Sequence, residues 1–267
     1  MNAKYRLLKN IALPSEHGIW TFWATPALIG TAVFPSVSGF LLSLAGLAAI
    51  LLENPVNLYA TDKRRDKYYP RTRIARNTFL LYATVLAIAT ALAVYYAGPN
   101  FLLVFLGALP FALYQIYFKI QNKARRLLVE FAGVVAISSL ASAIAIAGHA
   151  SYISAVILWL AVVAWGFPAV VYVRTKVLYS HGEKVLRWPA MLFALLSLVL
   201  VIALSILAYL PAVLILAFIV LLLRSVLGLG FMEFMLEPKQ IGILEMVLAL
   251  ILSLTFIISY KKMLISL

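Results

Sequence analysis

Nine apolar runs of membrane-spanning length leave this chain few ways to fold. They cover roughly residues 18–34, 38–60, 77–97, 100–118, 127–148, 152–173, 189–209, 211–230 and 240–259. Apolar runs of this length are read as membrane-spanning helices. About 20 helical residues cross a core of about 30 Å. Runs of this length predict an all-α integral membrane protein with nine transmembrane helices. Gly98-Pro99 and Pro211 punctuate two of the joints. No stretch long enough for a soluble domain is left between them, so residues 1–267 read as one polytopic membrane domain.

Composition agrees with this reading. Hydrophobic residues make up 65% of the chain and charged residues 12%, against about half and about a quarter in soluble domains. With no cysteine, neither a disulfide nor a thiolate metal site can form. Lys4, Arg6 and Lys9 ahead of an apolar run have the layout of a signal peptide, but no small-residue cleavage site closes the run and many spans follow. We read it as an uncleaved first helix.

The formal charge of +13, from 22 Lys+Arg against 9 Asp+Glu, is unevenly distributed. Three basic residues precede span 1. Seven follow span 2, four follow span 4 and four follow span 6, while Arg224 and Lys239 flank the joint after span 8. The intervening joints carry none, and Lys261 and Lys262 follow span 9. Basic residues stay in cytosolic loops, so this alternation predicts a cytosolic N-terminus, a C-terminus outside and a multi-pass protein of the cytoplasmic (plasma) membrane. The expected partners of these loops are anionic membrane lipids. Nucleic acid is excluded, because no soluble domain carries a basic face.

The richest polar segment runs from Glu53 to Lys67 at the cytosolic end of span 2. Glu53, Asn57 and Thr61 recur every four residues and share one helical face. Asp62 and Asp66 are also four apart. They have two readings: they share an Mg²⁺ that also holds substrate phosphates, or they pair with the surrounding Lys and Arg. Glu53 lies about 22 Å along span 2 from its outer end, hence about 8 Å beneath the cytosolic boundary of a 30 Å core. Arg224 lies at similar depth, and Glu130 and Glu245 within about 5–8 Å of that boundary. Ionisable residues at such depth face a bundle interior or a wet cavity. We therefore expect Glu53, Asn57, Arg224 and Glu245 to converge in one cytosol-open cavity, with Arg224 pairing with a glutamate or facing an anionic ligand.

After span 4, Tyr114, Tyr117 and Phe118 precede Lys119, Lys123, Arg125 and Arg126. Aromatics above a basic cluster suit a lipid tail with an anionic head, and equally an interfacial aromatic belt. After span 6, His181 and Glu183 do not make a metal site. At the start of span 1, Ser15 can cap the helix, Glu16 favours its positive end and Trp20 anchors the interface. His17 is left over, free to titrate beside Glu16 or to bind a headgroup.

Nine spans with polar motifs after spans 2, 4 and 6 resemble the UbiA superfamily of intramembrane prenyltransferases. There, Asp motifs after helices 2 and 6 hold Mg²⁺ and an isoprenyl diphosphate. Asp62 and Asp66 match the spacing of the last two aspartates of the first motif, while Asn57 stands one residue out of register and Tyr59 replaces an aspartate. Pro70 and Arg71 echo the stretch that follows, and Tyr117-x-Lys119 leading to Gly133 resembles the run after helix 4. After span 6, however, Arg174, Thr175 and Lys176 stand where the superfamily has aspartates, so half of the metal ligation is missing. A closer resemblance, over nearly the whole chain, is to the YwiC-like membrane proteins. It rests on the opening Glu16-His17-Gly18-Ile19-Trp20, the Arg-rich loop after span 2 and the late Gly242…Glu245.

The resemblance implies a UbiA-like bundle and two functional readings. One is a transferase acting on an isoprenoid diphosphate, held by Arg64, Lys119, Arg126 and Arg174, with Mg²⁺ on Asp62 and Asp66. The other is a non-catalytic binder or carrier of a lipid, quinone or anionic metabolite. Arg and Lys in place of the second Asp motif favour the second, since they hold phosphate without metal.

Overall fold

A computed structural model describes residues 3–14, 17–121, 123, 125–231 and 237–266, and every regular element among them is helical. The order is α1 (Ala3–Ala12), α2 (His17–Val33), α3 (Val37–Arg64), α4 (Pro70–Ala97), α5 (Leu102–Ile120), α6 (Leu127–Ala147), α7 (Tyr152–Ser180), α8 (Trp188–Ile206), α9 (Val213–Val226), a π-turn (Leu227–Phe231) and α10 (Pro238–Ser266). Eight of these, α3 to α10 with the π-turn continuing α9, are long and apolar enough to cross a membrane. The chain is a multi-pass membrane protein. The helix for the expected first span, α2, has 17 residues with Pro26 inside it, which reach about 25 Å.

Local signals set the helix ends. Ser36 Oγ accepts the Gly39 N–H at 2.9 Å to start α3, and Ser151 Oγ accepts the Ser154 N–H at 3.1 Å to start α7. Pro70 opens α4 at a position that needs no N–H. Gly98, at φ +74°, closes the same helix with a backbone that a side chain would strain.

Packing is graded across the bundle. In α6 and α7, 61% of the apolar window is buried, against 6% in α5 and 17% in α4, so α6 and α7 form the centre and α4 and α5 the lipid-facing rim. Small side chains make the centre possible: Ser138, Ser139, Ala141, Ser142, Ala143, Ala145 and Ala147 of α6 are all buried. Without a hydrophobic force between helices in lipid, close approach and interhelical hydrogen bonds hold them together. Ser142 Oγ donates to the Ala155 carbonyl at 2.6 Å, Trp159 Nε1 to Val135 at 2.9 Å and Trp23 Nε1 to Ser43 at 3.0 Å. Around this centre, α3 packs on α4, α2 on α6 and α10, and α8 on α7 and α9.

The helices outrun the apolar runs at one end. At 28 residues each, α3 and α4 extend about 42 Å, beyond a core of about 30 Å. Their overhangs, with that of α7, carry basic residues and meet through side chains. Arg64 donates to the Ile120 carbonyl at 3.4 Å, Arg174 to the Arg125 carbonyl, and Lys176 to the Gly228 carbonyl at 2.8 Å. The ends of α3, α5 and α7 and the π-turn therefore lie side by side and form one basic end.

Candidate functional site

An open cleft of about 570 Å³ lies at this basic end. Asn57 and Thr61 line it from α3, and Lys119, Ile120, Lys123, Arg125 and Arg126 from α5 and the turn after it. The four-residue spacing on α3 presents Asn57 and Thr61 together. Glu53, one turn further into the helix, forms an ion pair with Lys119, which ties α3 to α5; among the described residues no carboxylate lines the cleft. The guanidinium of Arg126 lies 5.7 Å from the centroid of the Phe118 ring. Behind the cleft, Arg174 Nη1 lies 3.3 Å from both Glu130 oxygens.

Asp62 and Asp66 have different places. The helix stops at Arg64, and Asp66 follows in the turn at φ +48°, exposed. The spacing of four places the two carboxylates one turn apart only while the helix continues, and the chain turns before Asp66. Asp62 is 1% exposed. Its Oδ1 accepts Arg71 Nη2 at 2.8 Å, and its Oδ2 accepts Thr72 Oγ1 at 2.7 Å and Arg71 Nε at 3.2 Å. The Tyr69 N–H donates to Thr72 Oγ1 at 3.1 Å, which extends this latch across the α3–α4 turn. Asp62 lies about 37 Å along α3, beyond the apolar run, and the Arg71 hydrogen bonds hold its carboxyl below the usual carboxylate range. As they stand, the two aspartates do not fit a shared Mg²⁺, because both oxygens of one are committed to protein donors. Among the described residues, no three His, Asp or Glu cluster as a metal site.

Arg224 and Glu245 stand apart from the cleft. They form an ion pair between α9 and α10, with the Arg224 guanidinium 4.2 Å from the centroid of the Tyr172 ring on α7. The single cavity uniting Glu53, Asn57, Arg224 and Glu245 is therefore corrected to two polar clusters. Depth from the membrane boundary is shared, but Glu53 and Asn57 face α5, while Arg224 and Glu245 face α7. Glu16 and the side chain of His17 lie outside the described residues.

Several residues of these clusters were not expected from sequence. Arg71 and Thr72 reach Asp62 across a turn, where no periodicity relates them. Tyr172 sits in an apolar run with nothing to mark it.

A model of the YwiC-like protein family matches residues 13–147, just over half of the 267-residue chain. The matched part runs from the end of α1 to the end of α6 and contains the cleft, the Glu53–Lys119 pair and the Asp62 latch. It ends before Tyr172, Arg224 and Glu245. No curated protein and no solved structure matches the chain. The sequence and its basic, helix-framed cleft belong to a member of the YwiC-like protein family.

Proposed function

We propose that the basic cleft binds the phosphate or diphosphate head of a membrane lipid, an isoprenoid phosphate being one such ligand, and that the protein is a binder or carrier. The carrying observation is the lining: Lys119, Lys123, Arg125 and Arg126 with Asn57 and Thr61, and no acid among the described lining residues. Guanidinium and ammonium groups hold phosphate oxygens directly, Arg in bidentate fashion. On the membrane side of the cleft, α5 exposes Phe111, Tyr114 and Tyr117, a surface suited to an isoprenoid or acyl tail, or to a quinone. The transferase reading needs Mg²⁺ between carboxylates, and the commitment of Asp62 to Arg71 and Thr72 weighs against it.

The same reading includes nine spans, α2 among them, with the N-terminus and the basic end in the cytosol, the C-terminus outside and the chain in the plasma membrane. The absence of Lys and Arg from the joints at the opposite end supports this orientation.

Chelation separates the readings. Binding of a fluorescent polyprenyl phosphate to the protein in nanodiscs is expected to be saturable, salt-sensitive and unchanged by EDTA. Binding lost in EDTA and restored by Mg²⁺ would favour the transferase, and no saturable binding would remove the proposal.

A further inference from the structure

The C-terminal half holds a second set of buried charges. Lys176 is 2% exposed, Arg224 8% and Glu245 9%. Among the described residues, Lys176 Nζ is held by the Gly228 carbonyl of the π-turn, and Arg224 Nη1 by Glu245 Oε2. Each of these cations is thus held by one protein acceptor, Lys176 by a carbonyl and Arg224 by a carboxylate.

The unused atoms say where an anion would sit. Arg224 Nε and Nη2 are buried without a hydrogen-bond partner, as is Glu245 Oε1. The Nε–H and Nη2–H of a guanidinium point the same way and form a fork that matches two oxygens of a carboxylate or phosphate. The Tyr172 ring under the guanidinium fixes the direction of that fork. The carboxylate oxygen left over only accepts, so it requires a donor. The π-turn alongside is a type of helix irregularity frequent at functional sites.

We propose that Arg224 and Glu245 form a second binding site, distinct from the cleft, for an oxyanion that keeps a hydroxyl group at neutral pH, as inorganic phosphate does. Two oxygens accept from the Arg224 fork, and the hydroxyl donates to Glu245 Oε1. Sulfate has the same shape and no hydroxyl at neutral pH. Its oxygens would face the Glu245 oxygen with no proton between them. A site built to hydrogen-bond a hydroxyl rejects the analogue without one.

The test is calorimetric titration of the full chain in detergent with inorganic phosphate and with sulfate. The chain carries Lys123→Gln, Arg125→Gln and Arg126→Gln so that the cleft does not contribute. Phosphate is expected to bind at least about tenfold more tightly than sulfate. Arg224→Lys, which keeps the charge and loses the fork, should weaken phosphate at least about tenfold. Glu245→Gln, nearly identical in shape, should bring the phosphate-to-sulfate ratio to within about threefold, because its amide donates to sulfate. Circular dichroism checks that each variant is folded, and Glu245→Gln carries the test if Arg224→Lys is not. No phosphate binding at millimolar concentration, equal binding of the two anions, or a preference that survives Glu245→Gln would overturn the proposal. Polyprenyl phosphate binding by Arg224→Lys in the otherwise unaltered chain should match the parent, so failure here is separable from failure of the cleft reading.

Discussion

Removing one member of the Arg224–Glu245 pair should be far more harmful than removing both. The side chains are 6% and 11% exposed, so Arg224→Met leaves a buried carboxylate without a counter-charge. Breaking a buried pair this way costs about 3–5 kcal/mol, and replacing the whole pair by apolar residues is often neutral or stabilising by about 1–4 kcal/mol. The apolar end of that range applies here, since the pair already leaves three buried polar atoms without partners, each costing about 1–3 kcal/mol. We expect Arg224→Met and Glu245→Leu each to lose about 3–5 kcal/mol and Arg224→Met/Glu245→Leu to lose less than about 1 kcal/mol, a coupling energy of at least about 5 kcal/mol. Reversible unfolding in mixed micelles, followed by far-ultraviolet circular dichroism, measures all three. If the two single losses simply add in the double variant, the pair is not coupled and the account of this cluster is wrong.

Other expectations follow from the same contacts. Asp62→Ala should lower stability by on the order of 1–3 kcal/mol, because Thr72 Oγ1 loses its buried acceptor; a loss no larger than that of an exposed control such as Glu183→Ala would remove the latch. Because the Asp62 carboxyl titrates below its usual value, its contribution should persist from pH 7 down to about pH 4 and fade only below that. Asp62→Asn should abolish that acid-dependent part of the stability curve. Gly228→Ala should cost about 1–3 kcal/mol, since a β-carbon there would meet the Tyr172 hydroxyl at 2.5 Å; Tyr172→Leu in the same chain should recover part of the loss. Single cysteines at Asp66, Lys123 and Glu183 should label only when reagent reaches the cytosol, while those at Gly98 and His149 should label from outside.

What was legible in the sequence is what the bilayer dictates. A hydrocarbon core imposes length and apolarity on each crossing, so the helices from α3 to α10 appear as runs, and the positive loops sort to one end. The face formed by Glu53, Asn57 and Thr61 was also legible, because 3.6-residue periodicity holds inside a helix. The same rule misled at Asp62 and Asp66, since it works only while the helix continues. Arg65 caps α3, and no Gly or Pro announces the stop within the intervening residues. The single cavity was out of reach for a different reason. Sequence position measures depth, but the order of helices around the bundle is set by packing, such as the small residues of α6 that admit α2, α3 and α7 on its sides. Arg224 and Glu53 share a depth and not a neighbourhood.

The cleft is the centre of this account, and the lipids that accompany the protein test it most directly. Mass spectrometry of the gently purified chain, with and without Lys123→Gln, Arg125→Gln and Arg126→Gln, compares what each retains. The expected result is a lipid phosphate or diphosphate enriched over the surrounding membrane in the unaltered chain, retained through EDTA and lost from the triple variant. An anionic lipid content identical in the two, or no enrichment in either, would contradict the assignment of the cleft to a lipid phosphate.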